Sequence, residues 1–121
     1  MKSKFKEENP DKEKRKQLSD SAIRNNPGKI PVILEKDETS KLPDIKKTRY
    51  ILEENFTIAE FITLIRNILK LNEGEALYLL AKGKHNLTGD QTIGDIYKLY
   101  KDKGDGFLYI VYTGQIFMGS K

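Results

Sequence analysis

The chain has 121 residues and a mass of 13.9 kDa, which is one domain's worth of protein. Cysteine is absent, which excludes disulfides, thiol nucleophiles and thiolate metal sites, and the longest apolar runs, Ala76 to Ala81 and Phe107 to Tyr112, are far short of the ~20 residues of a membrane-spanning helix. The net charge of +4 lies entirely in residues 1–29, which hold nine basic and five acidic side chains, whereas residues 30–121 hold 13 of each.

Residues 1–29 read as an appendage. Met1-Lys2-Ser3-Lys4-Phe5-Lys6 lacks the apolar stretch of a secretory signal, so a cytoplasmic, reducing compartment is expected. Asn9-Pro10-Asp11 has the composition of a helix start, with Asn9 as N-cap and Pro10 in the first turn, and Pro27-Gly28 stops the helix. Phe5, Leu18, Ala22 and Ile23 are its main docking residues, a thin apolar set that predicts weak attachment to something larger.

From residue 30 the pattern turns to strands. Ile30 to Glu35 is β-branched and apolar, with Pro31 pointing to an edge or a bulge, and Arg49 to Leu52 reads as its hairpin partner across a long polar loop. Ile58, Phe61, Ile62, Ile65, Ile68 and Leu69 then recur at helical spacing behind the capping box Thr57-x-x-Glu60, with Phe56 and Phe61 placed as a hydrophobic staple. Glu75 to Ala81 reads as a buried strand, Gly83 to Gly89 as a turn region and Thr92 to Tyr100 as a short helix. Phe107 to Tyr112 follows as a last, strongly apolar strand.

A helical extension followed by β-β-α-β-α-β, with one long amphipathic helix in the middle, packs most simply as an α+β β-grasp. A four-stranded mixed sheet grips that helix on one face, the C-terminal strand is central, and the appendage lies on or beside the other face. The expected divisions are a helical extension (1–29), the β-grasp domain (30–112) and a flexible tail (113–121).

Catalysis has little to stand on. His85 lies in a polar turn between Lys84 and Asn86, no metal-ligand spacing is present, and the glycines match no phosphate loop, so neither a catalytic residue, a metal nor a cofactor is expected. Nucleic-acid binding is the alternative drawn from charge, with bases at Lys12, Lys14, Arg15 and Lys16. Acidic residues interrupt that run and no stacking aromatics accompany it, so no specific nucleic acid is expected.

The chain resembles the autophagy-related, GABARAP-like family of ubiquitin-like modifiers. The resemblance rests on Phe5-Lys6-Glu7-Glu8-Asn9-Pro10 with Lys14-Arg15, Ile30 to Lys36, Tyr50-Ile51, Phe61 with Leu64-Ile65-Arg66, Ile93-Gly94-Asp95-Ile96-Tyr97, Asp105 to Ile110 with Tyr112, and Gly119. It implies a modifier and not an enzyme: a cysteine protease removes Ser120-Lys121, and activating and conjugating enzymes transfer Gly119 to phosphatidylethanolamine. The lipidated chain would sit on an autophagosome or other vesicle membrane. Glycine suits a narrow protease tunnel because it lacks Cβ, and two acyl chains suffice for stable anchoring. An unconjugated ubiquitin-like peptide-binding adaptor shares the fold and differs only at the tail. A related class of modifier, attached to protein, normally has nothing after its glycine.

The resemblance also implies capture of receptor peptides whose aromatic and aliphatic residues are three apart, added as a strand to the second strand's edge. The aromatic pocket would comprise Leu18, Ala22, Pro31, Arg49, Ile51 and Phe107, and the aliphatic pocket Tyr50, Leu52, Phe56, Phe61 and Leu64, with Arg66 as a polar contact. Lys46, Lys47 and Arg49 suit acids that precede such motifs, and the free chain is expected to be a monomer. Three positions depart from the family's pattern: Met118 where an aromatic is usual, Leu18 where an acid is common, and Glu53 where many relatives have proline.

Overall fold

Side-chain caps set the helices of the extension. In the computed structural model, which describes residues 3–115, the Ser3 hydroxyl accepts from the Lys6 N–H at 3.2 Å and opens α1 (Lys4–Glu8). Asn9 closes α1 by donating its backbone and side-chain N–H groups to the Phe5 carbonyl. The cap of α2 (Lys12–Asn25) is Asp11, whose carboxylate accepts from Glu13 and Lys14. The expected start at Asn9 and Pro10 is therefore two residues early, because Asn9 is already committed to ending α1.

Five strands form one mixed sheet in the order β2-β1-β5-β3-β4: β1 (Lys29–Lys36), β2 (Arg49–Glu53), β3 (Tyr78–Ala81), β4 (His85–Asn86) and β5 (Leu108–Thr113). β1 runs antiparallel to β2 and parallel to β5, which is central as its apolarity predicts. Four strands were expected. The fifth, β4, pairs Leu80 with Asn86 and Ala81 with His85 around Lys82 and Gly83, both at positive φ, so the segment read as a turn is a tight hairpin. His85 lies in that strand, half-buried and stacked on Tyr100 at 4.5 Å, and not in an open turn.

β3 begins at Tyr78, later than expected, because Glu75 instead holds the preceding loop: its carboxylate accepts from the Asn72 N–H and its carbonyl from Arg66. Pro31 is not on an edge strand. β5 first pairs with β1 at Val32, so the proline's missing N–H removes no ladder bond.

The expected capping box starts α3 (Ile58–Leu69), with Thr57 and Glu60 hydrogen-bonded reciprocally. Its buried face of Ile58, Phe61, Ile65 and Leu69 packs on Val32, Leu34, Leu79, Leu108, Ile110 and Tyr112, which is the grasp. The last helix, α4 (Ile93–Tyr100), is capped by Thr92 and closes one end of that core with Ile93 and Ile96. On the sheet's other face Phe5 and Leu18 cover Ile33, Phe107 and Tyr109. The extension is firmly docked and not weakly attached, since Phe5, Arg15 and Ser19 are all buried.

Candidate functional site

Among the described residues no strand pairs with the outer edge of β2, and the hydrogen-bonding pattern of β2 can be read from either end. The Leu34 N–H donates to the Thr48 carbonyl at 2.7 Å, and the Glu54 N–H to the Gly28 carbonyl at 3.1 Å. In the antiparallel register that pairs Val32 with Tyr50, these bonds assign the even-numbered residues of β2 to β1. The N–H and C=O groups of Arg49, Ile51 and Glu53 consequently point to the open edge.

The two faces beside that edge differ. On the outer face Ile51 lies opposite Pro31, and its side chain is 45% exposed. Leu18 packs on Phe107 there, and Ala22 follows one turn later on α2, half-buried. Tyr50 and Leu52 turn to the inner face and join Phe61, with Phe56 and Leu64 packed half-buried beside them. Tyr50 and Phe61 meet edge-to-face at 5.8 Å, and Phe56 lies 6.1 Å from Phe61. Phe107 and Phe61 are buried, at 3% and 0% exposure, so each is a floor and not a wall.

Residues 14–119 match the family model described as "Autophagy protein Atg8 ubiquitin like". The chain belongs to the Atg8 family. It is 39% identical over 111 residues to autophagy-related protein 8D of rice, covering 92% of each chain. It is 37% identical over 120 residues to autophagy-related protein 8 of the yeast Vanderwaltozyma polyspora, covering 99% of each. The solved structure of Trypanosoma brucei ATG8 superposes with a TM-score of 0.87 at 27% identity, covering 98% of this chain and 100% of that one. The chain is thus an autophagy ubiquitin-like modifier with the family's fold.

Other expected site residues of this Atg8 chain are placed less simply. Arg66 is half-buried and tied to the loop after α3, donating to the carbonyls of Glu75 at 2.5 Å and Asn72 at 2.6 Å. Lys46 and Lys47 are exposed, with the Lys47 ammonium 5.0 Å from the centre of the Tyr50 ring. The Tyr50 hydroxyl is buried without a hydrogen-bond partner among the described residues, and burial raises its pKa. Gly119, with Phe117, Met118 and Ser120-Lys121, lies outside the described residues.

One constellation escaped the sequence reading. Asp105, wholly buried, accepts from Arg15 Nε at 2.8 Å, from the Tyr109 hydroxyl at 2.6 Å and from the Phe107 N–H at 2.9 Å, while its own carbonyl accepts from Ser19. Arg15 also donates to the carbonyls of Asn9 and Pro10. Its pKa is raised chiefly by the Asp105 hydrogen bond, and that of Tyr109 is raised well above the ordinary range by burial and then by Asp105. The one signal in the sequence was an acid between two glycines, Gly104 and Gly106. This network also weakens the nucleic-acid alternative: Arg15 is sequestered and Lys16 is paired with Asp20 at 3.1 Å, so half of the basic cluster is already engaged.

Among the described residues no helix is long and apolar enough to cross a membrane. No group of three or more His, Cys, Asp or Glu side chains there could hold a metal ion.

Proposed function

We propose that this Atg8 chain acts without enzymatic activity of its own, as a lipid-conjugated tag that gathers peptide-bearing receptors on a membrane. A cysteine protease cuts after Gly119, and activating and conjugating enzymes transfer the exposed carboxyl group to the amine of phosphatidylethanolamine. The activating enzyme uses a nucleoside triphosphate to join that carboxyl to an enzyme thiol as a thioester. The amine then attacks the thioester, so that the amide C–N bond forms as the C–S bond breaks and the thiol leaves. The two acyl chains supply a membrane attachment that no helix among the described residues is long and apolar enough to offer by crossing the bilayer. Autophagosomal or related vesicle membranes are where the lipidated form resides.

The observation that carries the receptor reading is the open β2 edge between two unlike faces. A peptide added as a further strand hydrogen-bonds to Arg49, Ile51 and Glu53 and sends alternate side chains to opposite faces. Residues three apart in that peptide fall on opposite faces. By the family resemblance the aromatic falls to the face of Ile51, Pro31, Leu18 and Ala22, and the aliphatic residue to that of Tyr50, Leu52, Phe56 and Leu64. The half-buried Leu18 gives the first pocket an apolar wall and favours motifs with apolar contacts there. Single motifs bind at micromolar affinity, about −8 kcal/mol, and many copies on one membrane supply avidity.

The deciding experiment is intact-mass spectrometry after incubation in a lysate of the source cells. Loss of Ser120-Lys121 followed by a phospholipid-sized adduct, absent in Gly119→Ala, supports the conjugated form. An unchanged mass, in a lysate that processes a relative, leaves the unconjugated adaptor.

A further inference from the structure

We propose that β2 also pairs with β2 of a second copy of this chain, edge to edge and antiparallel, about a two-fold axis at Ile51. The strand Arg49-Tyr50-Ile51-Leu52-Glu53 is self-complementary about its centre. Turned against itself, it places Ile51 opposite Ile51 of the second copy, and Arg49 opposite Glu53 in both directions. A two-fold interface uses the same patch on both subunits, so every favourable pair occurs twice.

Three independent features meet in this one register. The first is the main chain. Only Arg49, Ile51 and Glu53 aim their N–H and C=O groups at the open edge, and centring on Ile51 sets those three residues opposite one another. A one-residue slip would set Ile51 against Tyr50 or Leu52, whose groups face β1. A two-residue slip, though it keeps main-chain bonds, would lose the pairing of Arg49 with Glu53 at both ends.

The second feature is charge. The basic end of the strand (Lys46, Lys47, Arg49) meets the acidic end (Glu53, Glu54) of the second copy. Among the described residues none of these five side chains has an ion-pair partner within its own chain. Edge strands ordinarily resist such pairing through like charges, proline or a bulge. Opposite charges set equally far from the centre favour it, and Glu53 retains the backbone N–H that a proline would remove.

The third feature is burial. Ile51 is a large apolar side chain left 45% exposed at the axis, and it would be covered by its own copy. The joined patch is small compared with stable interfaces, so the dilute chain is monomeric and pairing appears at high local concentration, as on a crowded membrane. The inference stands on the edge geometry alone. If the receptor reading also holds, pairing and receptor capture exclude each other because they use the same N–H and C=O groups.

The test is sedimentation velocity on the full chain across increasing concentration, with Arg49→Glu and Glu53→Arg checked for fold by circular dichroism. The wild type is expected to shift reversibly towards twice the monomer mass. Each single variant should lose that shift, because like charges now face each other at both ends. An equimolar mixture of the two variants should regain it, since one copy then carries acids at both ends of β2 and the other carries bases at both. A wild type that stays monomeric at its solubility limit, an Arg49→Glu variant that dimerises equally well, or a mixture that fails to associate would each overturn the proposal. A receptor-motif peptide that fails to bind at dilutions where the chain is monomeric would count against the receptor reading alone.

Discussion

Arg15 and Asp105, 90 residues apart in sequence, form a 2.8 Å ion pair with 9% and 0% of their side chains exposed. The pair fixes the extension to the turn before β5, and the same carboxylate braces Tyr109 and the Phe107 N–H. Breaking a buried pair strands the surviving charge, so Asp105→Ala is expected to cost about 3–5 kcal/mol. The urea unfolding midpoint reads that loss, and an unchanged midpoint would refute the bracing role.

Gly106 sits at φ +82, where a Cβ would lie 2.8 Å from the Ser19 hydroxyl oxygen. Gly106→Ala therefore combines a left-handed backbone with a clash against α2 and should destabilise the fold by about 1–3 kcal/mol. Removing the hydroxyl as well, with Ser19→Ala, relieves the clash but not the backbone cost. In thermal melts the double variant should be destabilised by less than the sum of the two single variants.

Three groups tie stability to pH, two phenols at the alkaline end of the scale and one carboxylate at the acid end. Burial pushes the Tyr112 phenol up to about 12 and raises that of Tyr109 further, both with hydrogen-bonded hydroxyls. In the unfolded chain these phenols ionise near 10, so above that pH the unfolded state sheds protons that the native state keeps. The stability they contribute is complete below about pH 10 and declines as pH rises towards 12. Tyrosine absorbance during alkaline titration should show late-ionising phenols that appear only on unfolding.

Asp102 governs the acid side. Burial opposes its charge, but the Lys6 ammonium at 2.8 Å and the N–H groups of Asp105 and Gly104 outweigh that and hold its pKa below the ordinary value. Its stabilising effect is therefore present above the unfolded carboxylate range and is lost as pH falls through the lowered value. Protection factors of the Phe5 and Lys6 amides, exchange rates taken relative to the intrinsic rate at each pH, should fall in acid, and Lys6→Met should flatten that dependence.

Ile51→Ala is the clean probe of the receptor groove, because the side chain is exposed and its loss should leave the fold intact. Removing its contact should weaken motif binding by about 1–2 kcal/mol, or roughly tenfold, in a calorimetric titration. Phe107→Ala is less informative: Phe107 is buried edge-to-face against Phe5 at 5.2 Å, so its truncation should also loosen α1. Unaltered affinity in a folded Ile51→Ala variant would remove Ile51 from the pocket.

The elements that the chain announces most clearly are those specified by local pattern. α3 was legible because its apolar spacing, capping box and staple agree within a dozen neighbouring residues. β5 was legible as central because Phe107 to Tyr112 is an unbroken apolar run, and the structure buries every residue from Leu108 to Thr113. β4 was hidden because two residues carry no periodicity and exist only by pairing with β3. The start of α2 was misplaced because Asn9 and Asp11 are both good caps, and only the packing of Phe5 shows which helix Asn9 serves.

Composition, periodicity and the order of motifs determined by themselves that this is a β-grasp chain with a helical extension, and they pointed to its family. Tertiary structure alone decided which polar groups do what. Arg15 looked like one more base in a solvated run until the fold set it against a buried acid. Arg66 was expected near the groove and is tied to the loop after α3. The open edge of β2 became visible only once the sheet order left it without a paired strand among the described residues and the register turned Arg49, Ile51 and Glu53 outward. Hydrophobic periodicity is written along the chain because neighbours in sequence share a face. The partner of a buried charge, and the direction of a strand's N–H groups, depend on residues that folding alone brings together.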